Sequence, residues 1–89
     1  MKFIYSDYFI ENVSKLSYEV RKILKEKLSL MYRNARHPPL KVKKIQGQED
    51  IFEASVAMDI RMTWQYIKKD VILLRKISKY DKTLKNPWL

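Results

Sequence analysis

Side chains of the types that bind and cleave a phosphodiester occur in the second half of the chain. They are carboxylates, guanidinium groups and a phenol, at Glu53, Asp59, Arg61, Arg75 and Tyr80. The chain around them is basic, with 19 Lys and Arg against 10 Asp and Glu and a formal net charge of +9. Because a positive surface attracts polyanions, this combination indicates RNA as a ligand. Solubility alone, or an acidic protein partner, is an alternative explanation of the charge.

Composition limits the class of protein. Eighty-nine residues with 46% hydrophobic content predict one small domain over residues 1–89. The chain has no cysteine, which excludes disulfides and thiolate metal sites and favours a reducing cytoplasm. Residues 1–7 turn polar too early for a signal peptide, and no run of about 18 apolar residues is present. We therefore expect no membrane segment, and we predict neither a metal nor a cofactor.

The first half of the chain predicts a short strand and two helices. Residues 2–6 are rich in aromatic and branched side chains, as in an edge strand. Asp7 can cap a first helix and Ser17 a second. The second helix has an apolar stripe at i, i+3 and i+4 spacing, which should pack on a sheet. The stripe consists of Val20, Ile23, Leu24, Leu28, Met31, Tyr32 and Ala35. The prolines that follow His37 should end this helix.

The rest of the chain predicts strands. Residues 40–46, 51–57, 60–68 and 71–77 have β-type composition, with turns at Met58-Asp59 and Lys69-Asp70. Short turns of this kind join antiparallel neighbours. The expected fold class is α+β: a short N-terminal strand, two helices, and then an antiparallel sheet of about four strands with the helices on one face.

Alternation within these strands separates a polar face of the sheet from an apolar one. The polar set is Glu53, Ser55, Arg61, Thr63 and Gln65. If the apolar sets face the helices, the polar set shares the opposite face. Arg75 can join that face together with Leu73 and Ile77. The alternative to a binding site is a solvated face with a Glu53–Arg61 cross-strand pair, which contributes roughly 0.2–1 kcal/mol.

Several segments of the second half follow one another in a recognisable order. They are residues 40–47 (LKVKKIQG), 51–56 (IFEASV), 60–64 (IRMTW) and 77–81 (ISKYD). Their order and spacing, after a short strand and two helices, resemble the RelE/ParE superfamily of toxins from type II toxin–antitoxin modules, with the RelE and YafQ-like branch most similar. The resemblance covers nearly the whole chain. It implies a fold similar to compact microbial ribonucleases and cleavage of mRNA, usually in the ribosomal A site, so that translation is inhibited.

The resemblance also implies roles for individual residues. Arg61 corresponds to the family's sheet arginine, which contacts the scissile phosphate, and a guanidinium can grip two phosphate oxygens. Tyr80 stands where relatives carry a catalytic His or Tyr. Because a free phenol, with a pKa of about 10, is a poor base, Tyr80 suits proton donation, orientation of the 2′-hydroxyl or base stacking. Glu53 and Asp59 are the candidate bases, or each pairs with a cation.

Basic side chains near both ends of the polar face are candidate RNA-binding residues. They are Lys41, Lys43, Lys44, Arg75 and Lys79, with Lys76 between the last two. A solvated edge is the alternative explanation of the lysine run.

Positions at which relatives carry lysines or histidines hold Glu53, Ser55 and Tyr80 in this chain. An alternative function is therefore that of a ParE-like toxin, which performs no RNA chemistry and binds and inhibits DNA gyrase. In both cases the resemblance implies a cognate antitoxin and a toxin–antitoxin hetero-oligomer in the cytoplasm.

Overall fold

The N-cap of the first helix is one residue earlier than the sequence predicts. The computed structural model describes residues 1–45, 47 and 50–79. In helix α1 (Asp7–Ser14) the N-cap is Ser6, whose Oγ accepts a 3.0 Å hydrogen bond from the Phe9 backbone N–H. The prediction that Asp7 caps this helix is therefore wrong. Asp7 is instead the first helical residue, where its negative charge complements the helix dipole.

The second helix has the predicted start and an earlier end. In helix α2 (Tyr18–Arg33) the Ser17 Oγ accepts a hydrogen bond from the Val20 backbone N–H at 3.2 Å, as expected of its cap. The helix ends at Arg33, before the prolines, because Asn34 adopts extended backbone angles. The prolines begin a short 3₁₀ turn (Pro38–Leu40).

The strands are β1 (Lys2–Tyr5), β2 (Lys43–Lys44), β3 (Ile51–Ala57), β4 (Ile60–Lys68) and β5 (Val71–Lys79). The bounds of β3 and β4 are those predicted, and β5 extends two residues further. The predicted strand over residues 40–46 is reduced to β2, because Leu40 belongs to the 3₁₀ turn and Lys41 has a left-handed φ of 49°. The last residue of that prediction, number 46, lies outside the described residues.

The described sheet has the order β1-β5-β4-β3-β2. Strands β2 to β5 pair antiparallel, as predicted, whereas β1 is an edge strand that pairs parallel with β5. A side chain joins α1 to this edge, since the Ser6 Oγ donates to the Arg75 carbonyl at 2.8 Å. The α+β fold class with an N-terminal edge strand is confirmed.

The core lies between the helices and one face of the sheet. The fully buried large side chains include Phe9, Met31, Met62, Trp64, Ile72 and Leu74. Trp64 stacks on Phe52 across β3 and β4, with 4.7 Å between ring centroids. The predicted apolar stripe of α2 packs here through Leu24 and Met31, but Tyr32 remains exposed. No helix in the described part of the chain combines the length and the apolar character that a membrane span needs.

Candidate active site

Two rows of polar side chains cross the sheet on the face opposite the helices. Residues directly opposite each other on neighbouring strands point to the same face. One row is Lys43, Glu53, Thr63 and Lys76, on β2 to β5, and the next is Ser55, Arg61 and Ser78, on β3 to β5. We call these residues, together with Gln65, the polar face. The pairing thus brings Glu53 and Arg61 together on this face, as the alternation within the strands predicts.

A β-bulge in β5 changes which residues join the polar face. Thr63 and Trp64 are neighbours in β4 but pair with Lys76 and Leu74, so Arg75 is an extra residue on β5. The extra residue shifts the alternation after it by one position. Ile77 therefore pairs with Met62 and is buried in the core, and its predicted place on the polar face is wrong. Lys76 and Ser78 occupy the polar face instead.

The Arg61 side chain is held at the turn between β3 and β4. Its Nη1 donates to three backbone carbonyls, those of Ala57 at 2.6 Å, Met58 at 3.0 Å and Ile60 at 3.1 Å. The side chain is 25% exposed. Hydrogen bonds from a charged donor are stronger than neutral ones, so these contacts orient the guanidinium at the surface of the polar face.

A carboxylate lies beside this guanidinium. Glu53 Oε1 is 3.9 Å from Arg61 Nε, which makes an ion pair that is too long for a hydrogen bond. The Glu53 side chain is 12% exposed, and its strand neighbours on the polar face are Lys43 and Thr63. The second candidate base, Asp59, is exposed in the turn that Arg61 bridges. The two carboxylates therefore differ in environment, one almost buried within the sheet and one at the tip of a turn.

The candidate RNA-binding lysines are divided between the two faces of the sheet. Lys43 lies on the polar face, opposite Glu53. Lys44 pairs with Phe52, so it lies on the helix-covered face, although its side chain is exposed. Lys79 pairs with Ile60 and for the same reason lies at the end of the helix-covered face.

The other candidate cations are outside the two rows. Lys41 is exposed and precedes β2, and Arg75 is the half-buried bulge residue. Tyr80 and Asp81 lie outside the described residues, so the role of Tyr80 stays a prediction. Among the residues described, no group of three His, Asp or Glu side chains could hold a metal ion.

Neither a protein-family model nor a curated protein sequence matches the chain. Solved structures do match. The isolated RelE toxin of E. coli has a TM-score of 0.73 at 20% identity, over 92% of this chain and 86% of that one. The archaeal RelE–RelB complex from Pyrococcus horikoshii OT3 matches with a TM-score of 0.74 at 17% sequence identity. That match covers 92% of this chain and 97% of the other. The YoeB/ParE toxin from Agrobacterium tumefaciens matches with a TM-score of 0.78 at 7% sequence identity. That match covers 91% of this chain and 100% of the other.

The chain therefore has the RelE fold. Within this RelE fold, the placement of Lys76 and Ser78 on the polar face is a feature that alternation alone misses. No local signal marks a bulge at Arg75, because a bulge is defined by the residues of β4 that stand opposite.

Proposed function

We propose that the protein is the toxin of a type II toxin–antitoxin system and a metal-independent, ribosome-dependent mRNA endonuclease that inhibits translation. One observation carries the proposal: a guanidinium fixed by three turn carbonyls lies 3.9 Å from a nearly buried carboxylate on a polar sheet face. The formal charge of +9 and the RelE fold support it. The solved relatives are named as toxins and as RelE–RelB toxin–antitoxin complexes.

Arg61 is proposed to bind the scissile phosphate. Cleavage by the adjacent 2′-hydroxyl places extra negative charge on the phosphorane oxygens, and a guanidinium stabilises it best when it is already oriented. The three carbonyl contacts of Nη1 provide that orientation before RNA binds. Lys43 and Lys76, at the two ends of the Glu53 row, are proposed to bind the flanking phosphates.

The proton transfers are proposed to use carboxylates and Tyr80. A base removes the proton of the 2′-hydroxyl as the 2′-oxygen bonds to phosphorus. The bond from phosphorus to the 5′-oxygen breaks, and that oxygen takes a proton from an acid. Glu53 is the favoured base because it adjoins Arg61, with Asp59 as the second candidate. Tyr80 is the proposed acid or stacking platform.

The proposed partners are a cognate antitoxin, mRNA and the ribosomal A site. A basic toxin surface would be complementary to an acidic antitoxin, and the solved RelE–RelB complexes support a toxin–antitoxin hetero-oligomer as the proposed assembly. The proposed location is the cytoplasm, where ribosomes translate the message.

The test compares Arg61→Ala with Arg21→Ala, a change of the same chemistry at an exposed position of α2. We expect Arg61→Ala to relieve growth arrest and to abolish cuts in a message that is translated in vitro and mapped by primer extension. The Arg21→Ala protein should cut at codon-phased positions like the unmodified chain. Thermal unfolding of both variants checks that the fold is retained.

Unchanged toxicity of a folded Arg61→Ala protein would remove Arg61 from the proposed site. A protein that leaves the message intact but lowers supercoiling by purified DNA gyrase would instead have the ParE-like activity. The two assays therefore separate the proposed nuclease from a gyrase-binding toxin.

A further inference from the structure

Strand β5 loses its parallel neighbour at the bulge. β1 ends opposite Leu74, and Arg75 is the extra residue that follows. Within the described sheet, no strand pairs with residues 75–79 on the side away from β4. Backbone N–H and C=O groups that leave a strand ladder need other partners. The second half of β5, which carries Lys76 and Ser78 onto the polar face, therefore needs other contacts on this side.

Two side chains from the α1 region provide such contacts. The Ser6 Oγ donates to the Arg75 carbonyl at 2.8 Å. The Asn12 Oδ1 accepts a hydrogen bond from the Ile77 backbone N–H at 3.1 Å. We call these two hydrogen bonds the α1 contacts. Both are partly buried, where a backbone group without a partner costs free energy. The α1 contacts thus take the place of a neighbouring strand beside the bulge.

The Ser6 hydroxyl connects the start of α1 to the bulge. Its proton is donated to the Arg75 carbonyl, while its oxygen accepts from the Phe9 N–H as the helix cap. The Ser6 backbone N–H also donates to the Leu74 carbonyl at 3.1 Å. Three hydrogen bonds at this one residue therefore fix the start of α1 relative to β5.

Asn12 is a residue type that α1 does not favour on its own account. Asparagine is a weaker helix former than alanine, because its side-chain amide competes for backbone hydrogen bonds. Asn12 lies within α1, is half-buried, and directs its amide oxygen to β5. The contact with Ile77 accounts for an asparagine at this position, whereas helix propensity does not.

We propose that Ser6 and Asn12 are positioning residues of the candidate active site, which act through the bulged half of β5. The α1 contacts hold Arg75 and Ile77, the two residues that flank Lys76 in the chain. They therefore fix the backbone on both sides of Lys76, which lies on the polar face. Lys76 binds a flanking phosphate in the proposed function, and the inference rests on that function.

Burial of Ile77 selects the register of β5 but not the finer geometry. Ile77 is 1% exposed, and a register without the bulge would bury Lys76 in its place at a high cost in free energy. Apolar contacts are not directional, whereas hydrogen bonds are. The α1 contacts therefore set the position of Lys76 within this register. A displacement of about 1 Å in a site can lower the rate about 100-fold.

The first experiment compares two helix caps. Ser6→Ala and Ser17→Ala each remove the cap hydrogen bond of one helix, but only Ser6 also bonds to β5 through its side chain. We expect Ser6→Ala to lower single-turnover cleavage of a translated message at least about tenfold, and Ser17→Ala less than about twofold. Ser6→Thr, which keeps the hydroxyl, should cleave like the unmodified chain. Equal losses in the two folded alanine variants would overturn the proposal.

The second experiment uses Asn12→Ala, which favours the helix but removes the acceptor of the Ile77 N–H. Cleavage should fall at least about fivefold. Asn12→Asp, whose carboxylate can accept the same hydrogen bond, should cleave within about twofold of the unmodified chain. Because Asn12 acts through Lys76, Asn12→Ala/Lys76→Ala should cleave no more slowly than Lys76→Ala alone. Losses that multiply in the double variant would show independent effects, and the proposal would fail.

Amide hydrogen exchange separates failure of the α1 contacts from failure of the proposed nuclease. In Asn12→Ala the Ile77 N–H should exchange at least about fivefold faster, while Ile72, in the half of β5 beside β1, keeps its rate. Unchanged exchange at Ile77 in the folded variant would overturn the proposal whatever the activity. An unmodified chain that cuts no message would overturn the proposed function and the role in cleavage with it, even where exchange at Ile77 responds.

Discussion

The two faces of the sheet are built from the same strands but follow different physical rules. On the helix-covered face Met62, Trp64 and Ile72 are 0% exposed and, apart from the buried Trp64 Nε1, are apolar, as burial favours. On the polar face Glu53 and Thr63 are almost as buried, at 9% and 4% exposed, yet both carry polar groups. Within the described residues the Thr63 hydroxyl has no hydrogen-bond partner.

Folding stability accounts for the residue types on the helix-covered face but not for those on the polar face. Burial of a polar group without a complete set of partners costs free energy, so a sequence chosen for stability alone would place apolar side chains at these positions. Residues that stability does not favour are characteristic of sites that bind or react with ligands. The residue types of the polar face therefore indicate a functional site on this side of the sheet.

The largest effect should come from the helix-covered face. Trp64→Ala removes a fully buried ring that stacks on Phe52, and we expect the free energy of unfolding to fall by about 3–5 kcal/mol. The neighbouring change Thr63→Val, on the polar face, replaces an unpartnered hydroxyl by a methyl group, so the free energy of unfolding should stay unchanged or rise by about 1–3 kcal/mol. Urea titration measures both. A large loss in Thr63→Val would contradict the contrast between the faces.

The next largest effect concerns the two carboxylates. Glu53→Gln keeps the shape of the side chain but removes its charge, and we expect message cleavage to fall by about 100-fold or more if Glu53 is the base. Asp59→Asn, the matched change in the exposed turn, should lower cleavage by less than about threefold, since a surface charge there adds only a weak field. Single-turnover cleavage rates provide the measurement. The reverse ranking would transfer the role of base to Asp59.

The smallest effect separates neighbouring lysines on β2. Lys43→Ala should reduce the slope of log affinity against log salt concentration for single-stranded RNA by about 0.7, the loss of one phosphate contact. Lys44→Ala carries the same charge change on the helix-covered face and should leave that slope unchanged. Binding titrations over a range of salt concentrations distinguish them. Equal slopes for the two variants would remove Lys43 from the RNA-binding surface.

Local sequence determined the elements and much of the polar face. Strands β3 and β4 have the predicted bounds because apolar alternation and turn residues are properties of neighbouring positions. The same alternation places Glu53 and Arg61 on one face, since side chains of a strand change sides at each residue whatever the strand pairs with. The cap at Ser17 was predictable for a similar reason, because a serine bonds to a backbone N–H three residues away.

Tertiary structure decided what depends on two distant segments at once. A bulge exists only with respect to the opposite strand. The sequence of β5 alone therefore could not show that Lys76 and Ser78, and not Ile77, lie on the polar face. The parallel pairing of β1 with β5 joins the beginning of the chain to its last described strand, and no local pattern records that contact. The depth at which Glu53 and Thr63 are buried likewise arises from packing between elements. Residue types and their alternation thus set the candidate chemistry, and only the register between strands decided which side chains meet.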